Sequence, residues 1–220
     1  MSVSLSLDQA VLDQALLAQS LPMAESNSWP WWAWLLVAIA VLIIIAIPYN
    51  RLVRLRNDWR NAWAQIDVQL KRRHDLVPNL VATVQGYAAH EKETLSAVMQ
   101  ARSGAEQLRQ RAQADPVSSL AALGQAEGTL GLALGRLYAV SEAYPELKAD
   151  SQFAELRASL EHTEDRIGFA RQAYNDAVTL YATVRESIPY VFIASILGFA
   201  PIPLWQIVDD AERQVPQVRF

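Results

Sequence analysis

Three histidines and no cysteine bound the metal and thiol chemistry open to these 220 residues. His90 and Glu91 open the segment HEKET, which starts like the helix of a zinc protease. The second histidine, needed one turn further on to share the metal, is absent. His74 and His162 have no cysteine or histidine at ligand spacing. There is no Gly-x-x-x-x-Gly-Lys segment to cradle a phosphate, and no serine sits in a nucleophile elbow. The acids Glu91 and Glu93, and Glu161, Glu164 and Asp165, read as solvated helix faces or ion pairs. The expectation is therefore no catalytic residue, no cofactor and no metal site. A cryptic hydrolase or metal protein using His90, Glu91 or His74 is kept as an alternative.

One charged residue stands where chemistry or structure must account for it. Leu52, Leu55, Trp59, Ala62, Ile66, Leu70, Val77, Leu80 and Val84 step by three and four, the apolar face of a long helix. Arg73 fills the gap in that face between Leu70 and Val77. The last long helix shows an equally regular seam: Phe153, Leu156, Leu160, Thr163, Ile167, Ala170, Tyr174, Ala177, Tyr181, Val184 and Ile188. With the two helices antiparallel and Leu52 level with Ile188, Arg73 falls about level with Ile167, one turn from Glu164. A buried or half-buried guanidinium needs a carboxylate, so Arg73 and Glu164 are expected to form a structural ion pair. The alternative is an arginine that snorkels from the edge of the face.

The elements that position these residues are helices. A second is expected from Glu91 to about Gln113, with Leu95, Val98, Arg102, Ala105 and Leu108 on one side. Asp115 before Pro116 is a cap followed by a favoured first position and opens a third. Tyr144 and Pro145 end it, and the fourth follows Asp150 or Ser151. Pro78 is expected to kink or interrupt the first body helix. No window alternates like a half-buried strand. Four amphipathic helices with short connections make an antiparallel four-helix bundle, an all-α fold. The third helix carries Gly124, Gly128, Gly131 and Gly135 on one stripe, half of the chain's glycines. Each costs ~0.5–1 kcal/mol in a helix interior, which close approach of another helix, in this chain or in a second copy, would offset.

Ahead of the bundle, residues 31–47 read WWAWLLVAIAVLIIIAI, a single membrane-crossing helix at the short end of the spanning range. Asp8, Asp13 and Glu25 precede it, and all nineteen lysines and arginines follow it. Basic residues stay on the cytoplasmic side. The expected topology has the N-terminus outside, one crossing of the bacterial cytoplasmic membrane, and the body inside. Trp29, Trp31, Trp32 and Trp34 crowd the outer end like an interfacial belt. A secretory signal would need bases ahead of the run, so the segment is read as an uncleaved anchor. Arg51, Arg54, Arg56 and Arg60 follow the run and face the headgroup region. They signal topology, and they can touch anionic lipid at ~1 kcal/mol per base.

The organisation is thus an external segment (1–30), a membrane helix (31–47), a bundle (48–188) and an apolar, proline-containing tail (189–220). Residues 187–208 carry no charge. Their prolines leave an uninterrupted helix only from about Tyr190 to Ala200, ~16 Å long. That is short of the ~30 Å hydrocarbon core, so a lid packed on the bundle is preferred to a second crossing. An interfacial or oligomer contact is the next alternative. Nucleic acid is excluded as a partner, since the body has 20 acids against 19 bases and lacks a basic excess. The expected partners are the bilayer, further copies of the chain, and proteins whose identity the residues do not specify.

Several blocks resemble one family. AQIDVQLKRRHDLVPNLVATVQGYAAHEKETL (64–95), YNRLVRLRNDWRNAW (49–63), LGRLYAVSEAYPELKAD (134–150) and TEDRIGFARQAYNDAV (163–178) are similar, in order, to the LemA family. The resemblance covers roughly residues 31–200. It implies a membrane-anchored helical bundle, common in bacteria, with an external N-terminus and no assigned enzymatic activity. The stretch before Trp29 is longer than the family's short external start, and the tail from Pro201 follows no strong family pattern. The leading functional expectation is a non-enzymatic scaffold or adaptor at the membrane. The alternative to it, besides a hydrolase or metal protein, is a membrane-shaping or envelope-stress component.

Overall fold

The computed structural model describes residues 30–205. The expectations for the external segment, for Trp29 and for residues 206–220 of the tail fall outside those residues. The described residues form helices α1 (Trp31–Tyr87), α2 (Lys92–Ala114), α3 (Pro116–Ser141), α4 (Pro145–Lys148), α5 (Ser151–Glu186) and α6 (Tyr190–Ile196), with no strand among them. The fold is all-α. Contacts divide the chain into two units, Met1–Ile45 and Ala46–Phe220.

In the first unit the described residues are the start of α1. Its tryptophans, leucines, valines and isoleucines are nearly all exposed. A helix that shows apolar side chains all round is a membrane span or a buried core helix, and here nothing among the described residues buries it. Among the described residues α1 is the one helix long and apolar enough to cross a membrane.

The second unit is a bundle whose helix starts are set locally. The Asp115 carboxylate accepts from the backbone N–H of Val117 and Ser118 at 3.1 and 3.3 Å, and Pro116 takes the first helical position of α3. The Asp150 carboxylate accepts from Phe153 N–H at 2.7 Å and starts α5. α3 stops at Ser141, short of the expected Tyr144, and Pro145 opens the short α4. A residue before proline is pushed out of the helical region, and Tyr144 sits at φ −120°, ψ 89°.

Two apolar clusters fill the interior. The first joins Leu52, Leu55, Trp59, Trp63, Ile66 and Leu70 of α1 to Ala112 of α2, Leu120 and Leu123 of α3, and Ile167, Tyr174, Val178 and Tyr181 of α5. The second joins Val77, Leu80, Val81 and Val84 of α1 to Leu95, Val98 and Ala105 of α2, Leu130, Leu134 and Leu137 of α3, and Phe153 and Leu160 of α5. Early residues of α1 thus meet late residues of α2, early ones of α3 and late ones of α5. Consecutive long helices run antiparallel.

One local expectation narrows and two change. α1 is not interrupted at Pro78, interruption being one of the two outcomes expected there, for a reason given below. Ile188, expected at the end of the α5 seam opposite Leu52, lies beyond α5 and is 79% exposed. The seam ends because α5 ends at Glu186, ahead of Pro189. The tail helix stops at Ile196, with Gly198 turning the chain at φ 71°. From there the chain runs back along α5. Tyr181 donates to the Ala200 carbonyl at 2.9 Å and Tyr174 to the Pro203 carbonyl at 3.0 Å. The Asn175 side chain donates to the Trp205 carbonyl and accepts from its N–H. Trp205 packs on Trp63 with ring centres 5.9 Å apart.

Candidate functional site

Between the two apolar clusters every long helix of the bundle places charge. On α1, Arg73 and His74 lie between Leu70 and Val77; on α3, Glu127 lies between Leu123 and Leu130. On α5, Glu164 lies between Leu160 and Ile167, and on α2, Glu106 and Arg109 lie between Ala105 and Ala112. Helical spacing brings one charged step of each face to the same level.

His74 is at the centre and fully buried. Its Nδ1 is 2.7 Å from Glu106 Oε2 and its Nε2 is 2.8 Å from Glu127 Oε1. A neutral imidazole offers one N–H and one lone pair, so it would set that lone pair against a carboxylate. With a carboxylate on each side, both nitrogens can donate only in the imidazolium, and the arrangement favours that form. Burial alone lowers the pKa of His74, but hydrogen bonds and charges from Glu127 and Glu106 outweigh it, and the net shift is upward.

The other members close the layer. Arg73 Nη1 lies 2.9 Å from Glu164 Oε2 and 3.5 Å from Glu127 Oε2. Arg109 grips Glu106 with Nε and Nη2 at 2.9 and 2.8 Å and gives Nη1 to Asp67 Oδ1 at 2.7 Å. The hydrogen bonds of Arg109 are the main reason the Glu106 carboxyl is held far below the usual range, against its burial, with His74 and Gln110 adding to them. The Glu106 bond likewise raises the Arg109 guanidinium, against desolvation, with Asp67 reinforcing it. Gln113 occupies the second oxygen of Asp67 at 2.9 Å.

Arg102 explains the unbroken helix. Pro78 has no N–H, so the carbonyl four residues back, that of His74, loses its helical partner. Arg102 Nε donates to the His74 carbonyl at 2.9 Å. Asp67, Glu106, Glu127 and Glu164 thus stand against Arg73, Arg102, Arg109 and the imidazolium, a balanced set.

Of the residues singled out in the sequence, Arg73 and Glu164 are brought together, with unequal burial: their side chains are 8% and 55% exposed. Glu161 pairs instead with Arg157 at 3.0 Å. Gly124, Gly128, Gly131 and Gly135 border two hollows between α3 and α5, of about 270 and 250 Å³, both also lined by Arg73 and Glu164. A Cβ at Gly128 or Gly135 would meet nothing within 4 Å, and one at Gly131 would meet Arg73 Nη2 at 3.5 Å. Arg51, Arg54 and Arg60 are exposed, whereas Arg56 is half-buried over the Phe199 ring at 5.0 Å. His90 is exposed, and Glu91 accepts from the Tyr144 hydroxyl at 3.1 Å.

Sequence reasoning named His74 only as a candidate hydrolase or metal residue, and it missed Glu106, Arg109 and Glu127. Glu127 had a signal of the same kind as Arg73, since it fills the gap between Leu123 and Leu130 in the α3 seam. Chemically the layer is self-satisfied. The two ring nitrogens of His74 point at different carboxylates, and no group of three His, Cys, Asp or Glu side chains among the described residues is placed to hold one metal ion. The layer orders and aligns helices. Its accessible edge is the Arg73–Glu164 pair, facing the glycine-lined hollows.

Fold and layer together define a class: a charge-locked helical bundle behind a helix long and apolar enough to cross a membrane. The model of the LemA family matches residues 62–220, and the chain belongs to that family. Magnetosome protein MamQ 2 of Paramagnetospirillum magneticum is 31% identical over 188 residues, covering 74% of this chain and 69% of that protein. Magnetosome protein MamQ of Magnetospirillum gryphiswaldense is 30% identical over 189 residues, covering 75% and 69%. Protein LemA of Metamycoplasma hominis is 27% identical over 132 residues, covering 60% and 57%. None of these names is that of an enzyme.

Proposed function

We propose that the chain is a non-enzymatic scaffold of the bacterial cytoplasmic membrane, anchored once by residues 31–47, with its N-terminus outside and its bundle on the cytoplasmic face. It works by self-association or by recruiting proteins along the α3–α5 side. The observation that carries this reading is the open glycine stripe. Gly128 and Gly135 weaken α3, yet no neighbouring atom of the described residues lies within 4 Å of where their Cβ atoms would be. A helix of a second copy or of another protein, approaching that side closely, gives these residues a use. The orientation rests on the nineteen bases that all follow the apolar run. Three of the relatives are named as magnetosome proteins, which describes a place in the cell and not a reaction.

The test is the mass of the full chain in mild detergent by light scattering. The parent is expected above monomer mass. Gly128→Leu and Gly135→Leu, which meet open space within the chain, are expected to keep the fold and lower the mass. A monomeric parent, or folded variants with unchanged mass, refutes self-association through this face. A reporter fused after Phe220 that is active only outside the cell refutes the orientation.

A further inference from the structure

The tail helix has two apolar faces. Tyr190, Ile193 and Ala194 turn inward and pack on the first apolar cluster. The described residues leave the outward positions uncovered: Phe192 is 63% exposed and Ile196 81%, with Val191 and Leu197 beside them. Apart from the Tyr190 phenol, the one polar side chain in α6 is Ser195, which donates to the Phe192 carbonyl at 2.9 Å. Isolated exposed apolar residues are ordinary, but a contiguous group on a short helix marks a contact surface.

Position identifies what it contacts. α6 follows the end of α5, and its first residue, Tyr190, shares a cleft with Ile47, Asn50, Arg51, Arg54 and Val184. Ile47 is the last residue of the apolar run and Arg51 the first base after it. Phe199 meets the Tyr49 ring at 6.2 Å. α6 therefore stands at the level where α1 passes from apolar to basic sequence, the level at which an anchored chain meets the membrane–water boundary. Arg51 and Arg54 have no ion-pair partner among the described residues, and the nearby acid Glu186 is paired with Arg185 at 3.2 Å. Seven residues make ~10 Å of helix, enough to lie in the interface and too little to cross it.

We infer that α6 with its flanking Ile188 and Leu197 is a second membrane contact, its outward face set into the headgroup–acyl boundary of the bilayer that α1 crosses, with Arg51 and Arg54 meeting anionic headgroups. A second copy is the poorer occupant. Copies anchored in one bilayer stand parallel and bring α6 to the same boundary, where lipid surrounds every copy. The inference rests on the anchored reading proposed above, and its test separates the two.

The chain has no cysteine, so single sites can be labelled directly. An environment-sensitive fluorophore is attached to Phe192→Cys, Ile196→Cys and, as a control that is exposed on α5, Phe169→Cys in the full chain. Each is reconstituted into phosphatidylethanolamine–phosphatidylglycerol vesicles. Burial of ~5–10 Å into the boundary gives severalfold stronger quenching by nitroxide acyl chains at 192 and 196 than at 169, and weaker quenching by aqueous iodide. The same label at 169 controls for the fluorophore's own affinity for lipid. If the chain resists alkaline carbonate extraction yet 192 and 196 answer to iodide like 169, the inference is overturned and the anchor stands. Protection from both quenchers that disappears on dilution in lipid assigns the face to a second copy and overturns it too. A chain that carbonate removes overturns the anchor itself.

Discussion

Glu127→Gln separates a layer held by its buried members from one held at its edge. Glu127 gives one oxygen to His74 and faces Arg73 with the other, and its side chain is 8% exposed. Its neutralisation leaves Arg73 with only the solvent-exposed Glu164, and the imidazolium with only Glu106. Removing one partner of a buried set costs ~3–5 kcal/mol, because the remaining charge is stranded. Glu164 is more than half exposed, so water screens its loss, and Glu164→Gln costs ~0–1 kcal/mol. In a domain of this size each kcal/mol moves the unfolding midpoint by ~2–4 °C. Thermal unfolding of the full chain in mild detergent, followed by circular dichroism, is expected to show a fall of ~6–20 °C for Glu127→Gln. The fall for Glu164→Gln is expected to stay below ~4 °C. Adding Arg73→Met to Glu127→Gln should recover part of the loss, since a stranded cation is then removed. Equal, small shifts for both glutamates, or strictly additive effects with Arg73→Met, refute the buried layer as the element that holds the helices together.

Other outcomes follow from the same geometry. Because the folded pKa of His74 is raised above 6.5, its stabilisation is complete below about that pH and is lost as pH rises through the raised value. The Glu106 pKa is lowered, so its contribution is present above its ordinary value of 4.5 and is lost as pH falls toward the depressed one. The midpoint should therefore decline on both sides of a plateau, and His74→Gln should flatten the alkaline decline. An unchanged alkaline limb in that variant removes the assignment. Arg102→Met strands the His74 carbonyl at ~1–3 kcal/mol, and Pro78→Ala, which restores the helical N–H, should abolish most of that cost. An identical cost in both backgrounds refutes the role given to Arg102. Trp205→Ala removes a buried indole and should cost ~3–5 kcal/mol while raising amide exchange across residues 199–205. Unchanged exchange there means that Trp205 does not hold the tail.

Periodicity carried most of the fold, because apolar steps of three and four are written directly into α1 and α5, and the caps Asp115 and Asp150 are local signals. The same periodicity exposed Arg73, since a charge in an apolar seam needs a partner. The structural role of His74 is hidden because it lies next to Arg73 in a segment that reads as polar, and that of Glu127 because the glycines around it blur the α3 seam. Glu106 and Arg109 sit on the second half of α2, whose buried positions are Ala105, Arg109 and Ala112. Alanine marks a core position weakly, so only the approach of three other helices shows which of its polar residues turn inward. Arg102 could not be assigned from its own neighbourhood, because its partner is a carbonyl freed by a proline in another helix. The level matching that led from Leu52 to Ile188 fails at its last step, where Pro189 cuts α5 short.

The charged layer also sets how the bundle bears a load along its length. In an apolar seam, a helix sliding by one turn, ~5.4 Å, exchanges one leucine contact for another and resists weakly. Here the same slide of the body's part of α1 would carry the Arg73 guanidinium toward the level of Leu160 or Ile167. It would also draw His74 away from both carboxylates at once. Displacement along the axis is therefore opposed by a single steep barrier at mid-height. Below that threshold a push or pull arriving through α1 moves the bundle as one rigid strut. Above it the four helices lose alignment together, since Glu106 and Glu127 each serve cations on more than one residue.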